Sequence, residues 1–161
     1  STAITTVPIT STKPGCLGCC GETVGTGLNQ ATFITIDNSG NLFVSNTGNS
    51  QIMKFTPGST TGTVIYTGSG ATTGLYVISD GTLYFADLDN SVVRKFINAT
   101  GNGIIVAGVE DVPAGAPDHF NYPYGVYAEN SGTFYVADAV NNVVLKFFSN
   151  STSGTNGTIV A

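Results

Sequence analysis

An internal repeat constrains the fold of this chain more than any other feature. Three stretches share one pattern without a gap: GNLFVSNTGNSQIMKF at 40–55, GTLYFADLDNSVVRKF at 81–96 and GTFYVADAVNNVVLKF at 132–147. In each copy a glycine after Ser or Asp predicts a turn, and two runs of aromatic and β-branched residues around a polar turn predict two strands. The runs are more continuously apolar than alternating, so we expect sheets that are covered on both faces.

A further apolar run flanks each copy on either side, which predicts four strands in each unit. We predict strands at 33–37, 42–45, 51–55 and 63–66, at 75–78, 83–86, 92–96 and 104–107, and at 126–128, 134–137, 143–148 and 158–161. Four short strands with a period of about 40 residues are typical of a β-propeller blade. Blades packed radially against each other bury both faces of each sheet, which fits the apolar runs.

The units resemble NHL repeats, a family of β-propeller repeats. The matching residues are Tyr84-Phe85-Ala86-Asp87 with Asn90, and Tyr135-Val136-Ala137-Asp138 with Asn141. The first unit departs at Asn46, and it carries Phe33 where the other units have the opening glycines Gly74 and Gly125. The resemblance implies an all-β, NHL-like β-propeller arc of three four-stranded blades, and some propellers of this type are metal-dependent lyases.

Residues 1–30 form an N-terminal strand and a Cys/Gly-rich loop in this prediction, and residues 31–161 form the three repeats, at about 31–70, 71–108 and 122–161. Closed propellers need roughly four to eight blades. Three blades would leave an apolar face at each end of the arc, and we expect those faces to be covered by self-association or by a longer chain. The start at Ser1, without an initiator Met, indicates a mature secreted product or a fragment.

The N-terminal segment is a candidate assembly strand. Its apolar residues are Ile4, Val7 and Ile9, and Pro8 confines such a strand to a sheet edge. It could add to an edge of a neighbouring subunit by backbone hydrogen bonding. It could equally pair within its own chain as the closing strand of a ring.

Composition favours an extracellular protein. Charged residues make up only 9% of the chain, and the net charge of -5 forms no run. With only five Lys and Arg residues, nucleic acid is not expected as a partner, and no apolar run is long enough to span a membrane. The sequons at Asn98, Asn150 and Asn156 predict N-linked glycans, and Ser and Thr in 1–12 could carry O-linked glycans.

The three cysteines, Cys16, Cys19 and Cys20, predict a disulfide. Zinc requires four ligands, and no second cluster of Cys or His accompanies them. We expect a local bridge from Cys16 to Cys19 or Cys20, with the remaining thiol free or linking subunits.

Two groups of polar residues are candidates for a catalytic or metal site. Asp87, Asp89 and Asn90 resemble part of a calcium loop but lack its Gly and distal Glu. Repetition with drifting charge favours a role in fixing turns. His119 is the single histidine, and no nucleophile signature accompanies it. We therefore predict no catalytic residue, metal or cofactor.

The predicted function is that of a non-enzymatic, extracellular structural glycoprotein subunit that self-assembles into an oligomer or filament. The alternative is a ligand-binding propeller that recognises a protein or glycan through loops such as the 109–124 connector. Its candidate ligand residues are His119, Phe120, Tyr122 and Tyr124. A metal-dependent lyase, implied by the resemblance alone, is a third and more distant alternative.

Overall fold

The computed structural model describes residues 24–97, 103–115 and 117–161. Its strands are β1 (Ala31–Ile36), β2 (Leu42–Asn46), β3 (Gln51–Phe55), β4 (Thr63–Thr67), β5 (Thr72–Val77), β6 (Leu83–Asp87), β7 (Val92–Phe96), β8 (Ile104–Gly108), β9 (Pro123–Ala128), β10 (Phe134–Asp138), β11 (Val143–Phe147) and β12 (Thr158–Ile159). One turn of 3-10 helix covers Thr47–Asn49. Each predicted strand corresponds to one of these, with its ends shifted by at most three residues.

The strands form three antiparallel sheets of four strands, in the order β1-β2-β3-β4, β5-β6-β7-β8 and β9-β10-β11-β12. These sheets are called blades 1, 2 and 3. The first strands of the blades are neighbours, since β5 contacts both β1 and β9. The chain is therefore all-β and forms a partial β-propeller arc, as predicted.

Successive side chains along the second strand of each blade point to opposite faces of the sheet, which explains why the strand is apolar on both faces. In blade 2, Leu83 and Phe85 belong to a core cluster shared with blade 1. Tyr84, which points to the other side of the sheet, belongs to a second cluster shared with blade 3. Each interior blade face is buried against a neighbour, so both sets of alternating positions have to be apolar.

Close backbone approach explains one of the opening glycines. A Cβ atom on Gly74 would lie 2.6 Å from the Val126 nitrogen and 2.8 Å from the Gly125 Cα atom, both on β9. A side chain there would push blades 2 and 3 apart. Phe33 occupies the same repeat position in blade 1, where its ring packs edge-on against Tyr124 at a centroid distance of 5.6 Å.

The segment before β1 covers part of blade 1. Leu28 packs against the cluster of Val44, Met53 and Phe55, and a Cβ atom on Gly25 would lie 3.0 Å from the Phe55 ring. Earlier residues lie outside the described part of the chain, including the predicted assembly strand with Ile4, Val7 and Ile9, and Cys16, Cys19 and Cys20. Asn98 also lies outside it. No helix among residues 24–97, 103–115 and 117–161 is long and apolar enough to cross a membrane.

Candidate functional site

Blade 1 exposes apolar side chains on the side that points away from blade 2, which is called the front face. Ile34 and Ile36 pair with Val44 and Leu42 and therefore share their side of the sheet. Ile36 is 63% exposed, whereas its repeat equivalent Val77 is 8% exposed. Val64, which pairs with Met53 on the same side, is exposed as well. The front face of blade 1 thus exposes apolar side chains at positions whose equivalents are buried in blade 2.

Blade 3 exposes the opposite side of its sheet. This side points away from blade 2 and is called the back face. Tyr127 is 50% exposed and pairs with the half-buried Tyr135, and one side of its ring contacts Tyr76 of blade 2 at a centroid distance of 4.6 Å. Ala137 is exposed, although its repeat equivalents Ser45 and Ala86 are fully buried between blades. The Lys146 amine lies over the rings of Tyr135 and Phe148, 5.7 and 5.5 Å from their centroids.

The front and back faces are the two halves of one type of contact. Within the chain, back-face positions of blade 1 pack on front-face positions of blade 2, and blade 2 packs on blade 3 in the same way. The exposed front face of blade 1 and the exposed back face of blade 3 therefore correspond to the two surfaces that pack against each other between neighbouring blades.

The four candidate ligand residues in the connector between blades 2 and 3 lie in different environments. Phe120 is fully buried and packs edge-on against Phe147 at a centroid distance of 5.7 Å. It is a core residue rather than part of a ligand-contacting patch, because its ring fills the space beside Gly108. Tyr122 and Tyr124 are 48% and 45% exposed. His119 is half-buried, and its Nδ1 atom lies 2.8 Å from the Asp118 carboxylate, a hydrogen bond that lowers the pKa of Asp118.

The repeated polar residues at the ends of β2 and β10, Asn46 and Asp138, anchor backbone. The Asp138 carboxylate accepts hydrogen bonds from the Asn121 amide at 3.0 Å and from the Asn141 side chain at 2.7 Å. Asn46 accepts one from the Asn29 amide at 2.6 Å. Burial raises the pKa of Asp138, and these hydrogen bonds oppose the rise. The residues fix the segment that leads into the first strand of their own blade, a longer-range role than a local turn.

Asp87 has a different set of partners, which sequence reasoning missed. Its carboxylate accepts hydrogen bonds from Arg94 Nε at 2.8 Å, from the Asn90 side chain at 2.9 Å and from the Tyr66 hydroxyl of blade 1 at 3.1 Å. Arg94 also pairs with Glu110. The one available signal was Arg94 itself, which stands at the repeat position of Met53 and Leu145. The network joins blades 1 and 2 through buried polar atoms.

Two of the three sequons lie in the β11–β12 loop. Asn150 and Asn156 are both exposed. Ser151 of the first sequon is buried, and its hydroxyl accepts a hydrogen bond from the Phe148 amide. Within the described ranges, no group of three His, Cys, Asp or Glu side chains could hold a metal ion.

Comparison with solved structures finds propeller-like proteins. A protein of unknown function from Bacteroides thetaiotaomicron is 22% identical, with a TM-score of 0.60 over 68% of this chain and 32% of its own. Virginiamycin B lyase from Staphylococcus aureus is 17% identical, with a TM-score of 0.55 over 81% of this chain and 40% of its own. An auxiliary nutrient binding protein from B. thetaiotaomicron is 12% identical, with a TM-score of 0.58 over 77% and 34%.

These likenesses establish the fold and nothing finer, because the identities are low. The chain spans well under half the length of each of these proteins. No family model and no curated protein matches the chain. Membership of the NHL family therefore stays a prediction, while the propeller-like fold is shared with all three solved structures.

Proposed function

We propose that this chain is a non-enzymatic structural subunit that self-associates, with the front face of blade 1 in one copy covering the back face of blade 3 in the next. The supporting observation is the exposure of Ile36 and Ala137, whose equivalents Val77 and Ala86 are buried between blades. Part of the front face, at Val44, Met53 and Phe55, is already packed against Leu28 of the segment before β1. A second copy would offer the exposed remainder, including Ile34, Ile36 and Val64, the kind of partner that the chain uses between its own blades. Covering an Ile or Tyr side chain fully contributes about 1.5 to 3 kcal/mol before the cost of association.

Such a contact joins two different surfaces and is therefore heterologous. Heterologous contacts close into a ring when the rotation allows it and otherwise continue as a filament. Two copies would supply six blades, within the roughly four to eight of closed propellers. Further blades in a longer chain would use the same two faces, and the intact polypeptide mass of the protein from its natural source separates that case from self-assembly of the 161-residue chain.

The proposal includes an extracellular, glycosylated state. It is supported by the low content of charged residues, 9%, and by the exposure of Asn150 and Asn156. Intact mass of the protein from its natural source, before and after glycosidase treatment, tests this part. A mass equal to that of the bare polypeptide would reject it.

The association proposal is tested by sedimentation velocity over a range of concentrations and by negative-stain microscopy. Ala137→Arg should block the back face and Ile36→Glu the front face, so each variant alone should lose higher assemblies. Val112→Glu is the matched control, since Val112 is an exposed residue of the connector.

Mixing the two blocked variants gives the sharper result. One still has an intact front face and the other an intact back face, so the mixture should form a 1:1 dimer that grows no further. A wild-type chain that stays monomeric at all concentrations would contradict the proposal, and so would assembly that both substitutions leave intact.

A second candidate function is ligand binding by the connector, favoured by the exposure of Tyr122 and Tyr124. Aromatic side chains supply large contact areas in binding sites. A glycan array probed with wild-type protein and with Tyr122→Ala and Tyr124→Ala variants tests it. Binding that depends on these rings, by a chain that stays monomeric, would favour this function over self-assembly.

A further inference from the structure

A cavity of about 310 Å³ lies between blades 2 and 3, beside the β5–β6 and β9–β10 turns. Its lining is mostly polar and comes from both blades: Ile78, Asp80, Thr82, Tyr84, Lys95, Ile97, Asn130, Ser131, Gly132 and Ser149. The volume is at the lower end of the roughly 300 to 1,000 Å³ typical of small-molecule sites. None of these residues belongs to the open blade faces or to the exposed tyrosines of the connector.

The hydroxyl of Tyr84 opens into this cavity and has no protein partner among the described residues. The residue is only 2% exposed, and its hydroxyl makes no hydrogen bond within the described part of the chain. No fully buried side-chain polar atom of that part lacks a partner, so the hydroxyl must face the cavity. Burial, and secondarily the charge of Asp80, raise the pKa of Tyr84 and keep its proton available for donation.

Comparison of the three blades shows why this hydroxyl is free. In blade 3 the equivalent Tyr135 hydroxyl donates to the Glu129 carboxylate at 2.9 Å. Blade 2 has Ile78 at the position of Glu129, so Tyr84 lacks that acceptor. Blade 1 has Phe43 in place of the tyrosine and carries no hydroxyl.

Lys95 is also arranged differently from its equivalents. The Lys54 and Lys146 amines lie over the rings of Phe43 and Tyr135, 5.6 and 5.7 Å from their centroids. Lys95 pairs with Tyr84 across the sheet and lines the cavity. Within the described ranges its amine makes no ion pair and no cation–π contact. An ammonium group and a phenol, neither with a partner among the described residues, therefore lie side by side on the blade 2 wall.

The remaining polar groups suit a neutral, hydroxyl-rich ligand. Asp80 supplies an acceptor through the carboxylate oxygen that does not already accept from the Thr82 amide, and the Asn130 side-chain amide and the Ser149 hydroxyl supply donors. The Asn130 oxygen accepts from the Ser79 amide, and the Ser131 hydroxyl donates to Glu129 and accepts from the Thr133 amide. One ammonium and one carboxylate balance in charge, which disfavours a strongly charged ligand. Ile78 and Ile97 provide apolar surface for the C–H face of a ring. We propose that this interblade cavity binds a sugar ring through Tyr84, Lys95 and Asp80.

The sugar could be free or could belong to the chain itself. Ser149 lines the cavity and directly precedes Asn150, the exposed asparagine of a sequon. A glycan on Asn150 would begin one residue from the cavity wall. The shared chemistry is the same for both sources, and the test below distinguishes them.

The test uses the unglycosylated 161-residue chain and saturation-transfer NMR with methyl glycosides of N-acetylglucosamine, mannose, glucose and galactose. Tyr84→Phe removes only the free hydroxyl, and Lys95→Met removes only the ammonium group. Each should weaken binding of the recognised sugar at least tenfold. Lys54→Met, at the same repeat position in blade 1, should bind as wild type does.

The second arm uses the glycosylated chain. Loss of free-sugar binding that Thr152→Ala restores would identify the Asn150 glycan as the occupant, while unchanged binding would identify a free saccharide. No binding of any of the four sugars by the unglycosylated chain would overturn the proposal, as would equal binding by wild type, Tyr84→Phe and Lys95→Met. Because blades 2 and 3 of one chain form the whole lining of the cavity, the result does not depend on self-association.

Discussion

The buried network of Asp87, Arg94 and Tyr66 gives the most quantitative prediction. Asp87 is fully buried, and the Arg94 side chain is 12% exposed. Removing one partner of a buried ion pair costs about 3 to 5 kcal/mol, because the other charge is left without compensation. We expect about 3 kcal/mol for Asp87→Asn and for Arg94→Met. Arg94 keeps Glu110 in the first variant, and Asp87 keeps Tyr66 and Asn90 in the second.

The double variant should cost no more than either single one. Asp87→Asn with Arg94→Met recreates the neutral pair of blade 1, where the Asn46 side chain lies 3.3 Å from the Met53 sulfur. Coupling between contacting residues reaches about 3 kcal/mol. The double variant should therefore also lose about 3 kcal/mol of unfolding free energy, which lowers the melting temperature by about 6 to 12 °C in a chain of this size.

Urea unfolding followed by circular dichroism and tyrosine fluorescence at pH 7 measures all four proteins, since the chain has no tryptophan. Lys54→Met serves as the control and should stay within about 0.5 kcal/mol of wild type. Additive losses of about 6 kcal/mol in the double variant would refute the reasoning, because the two side chains would then act independently. The phenol of Tyr66 should stay protonated throughout, as burial and then Asp87 raise its pKa to about 12.

Three further predictions concern the backbone, pH and the N-terminus. Gly74→Ala should lose about 1 to 3 kcal/mol by overpacking, since its Cβ atom would meet β9 backbone at 2.6 Å. Gly125→Ala, whose Cβ atom would meet only Ala137 Cβ at 3.7 Å, should lose less, and equal urea midpoints would contradict this. Burial raises the folded-state pKa of Asp138 above its unfolded value. The contribution of this carboxyl group to the free energy of unfolding is therefore fully present below the unfolded pKa, and it is lost as pH rises through the folded pKa. Asp138→Asn should therefore lose less stability than wild type between about pH 4 and pH 7 in urea titrations, and parallel curves would count against it. Deleting 1–12 should reduce the mass measured by light scattering if that segment donates a strand, and an unchanged oligomer would rule out donation.

The exposed blade faces connect the fold to the proposed function. A repeat protein buries the faces of its interior units and leaves the outer faces of its terminal units exposed to solvent. The residues on those outer faces are therefore normally polar. Ile36 and Tyr127 are not, although they are 63% and 50% exposed. Retaining apolar side chains at both ends is the pattern expected when another blade covers them.

The blades could be predicted from the sequence alone. Strand positions followed from turn residues and apolar runs, both of which act between residues that are close along the chain. The three copies also identified Asp138 and Asn46 as structural residues, since a group repeated in each blade is explained by the blade. The N-terminal strand, the cysteines and Asn98 stay predictions.

The role of each repeated position depends on contacts that form when the blades pack together. Phe120 lies in a connector, and nothing local distinguishes a ring that fills the core from one that faces a ligand. The partners Tyr66 and Asp87 are 21 residues apart and meet because two blades pack together. Among the described residues the Tyr84 hydroxyl has no partner, because blade 2 has Ile78 at the position of Glu129 in blade 3. It faces a cavity that forms only when blade 3 packs against blade 2. Such contacts join distant parts of the chain, so the repeat pattern specified the blades and their packing assigned the roles.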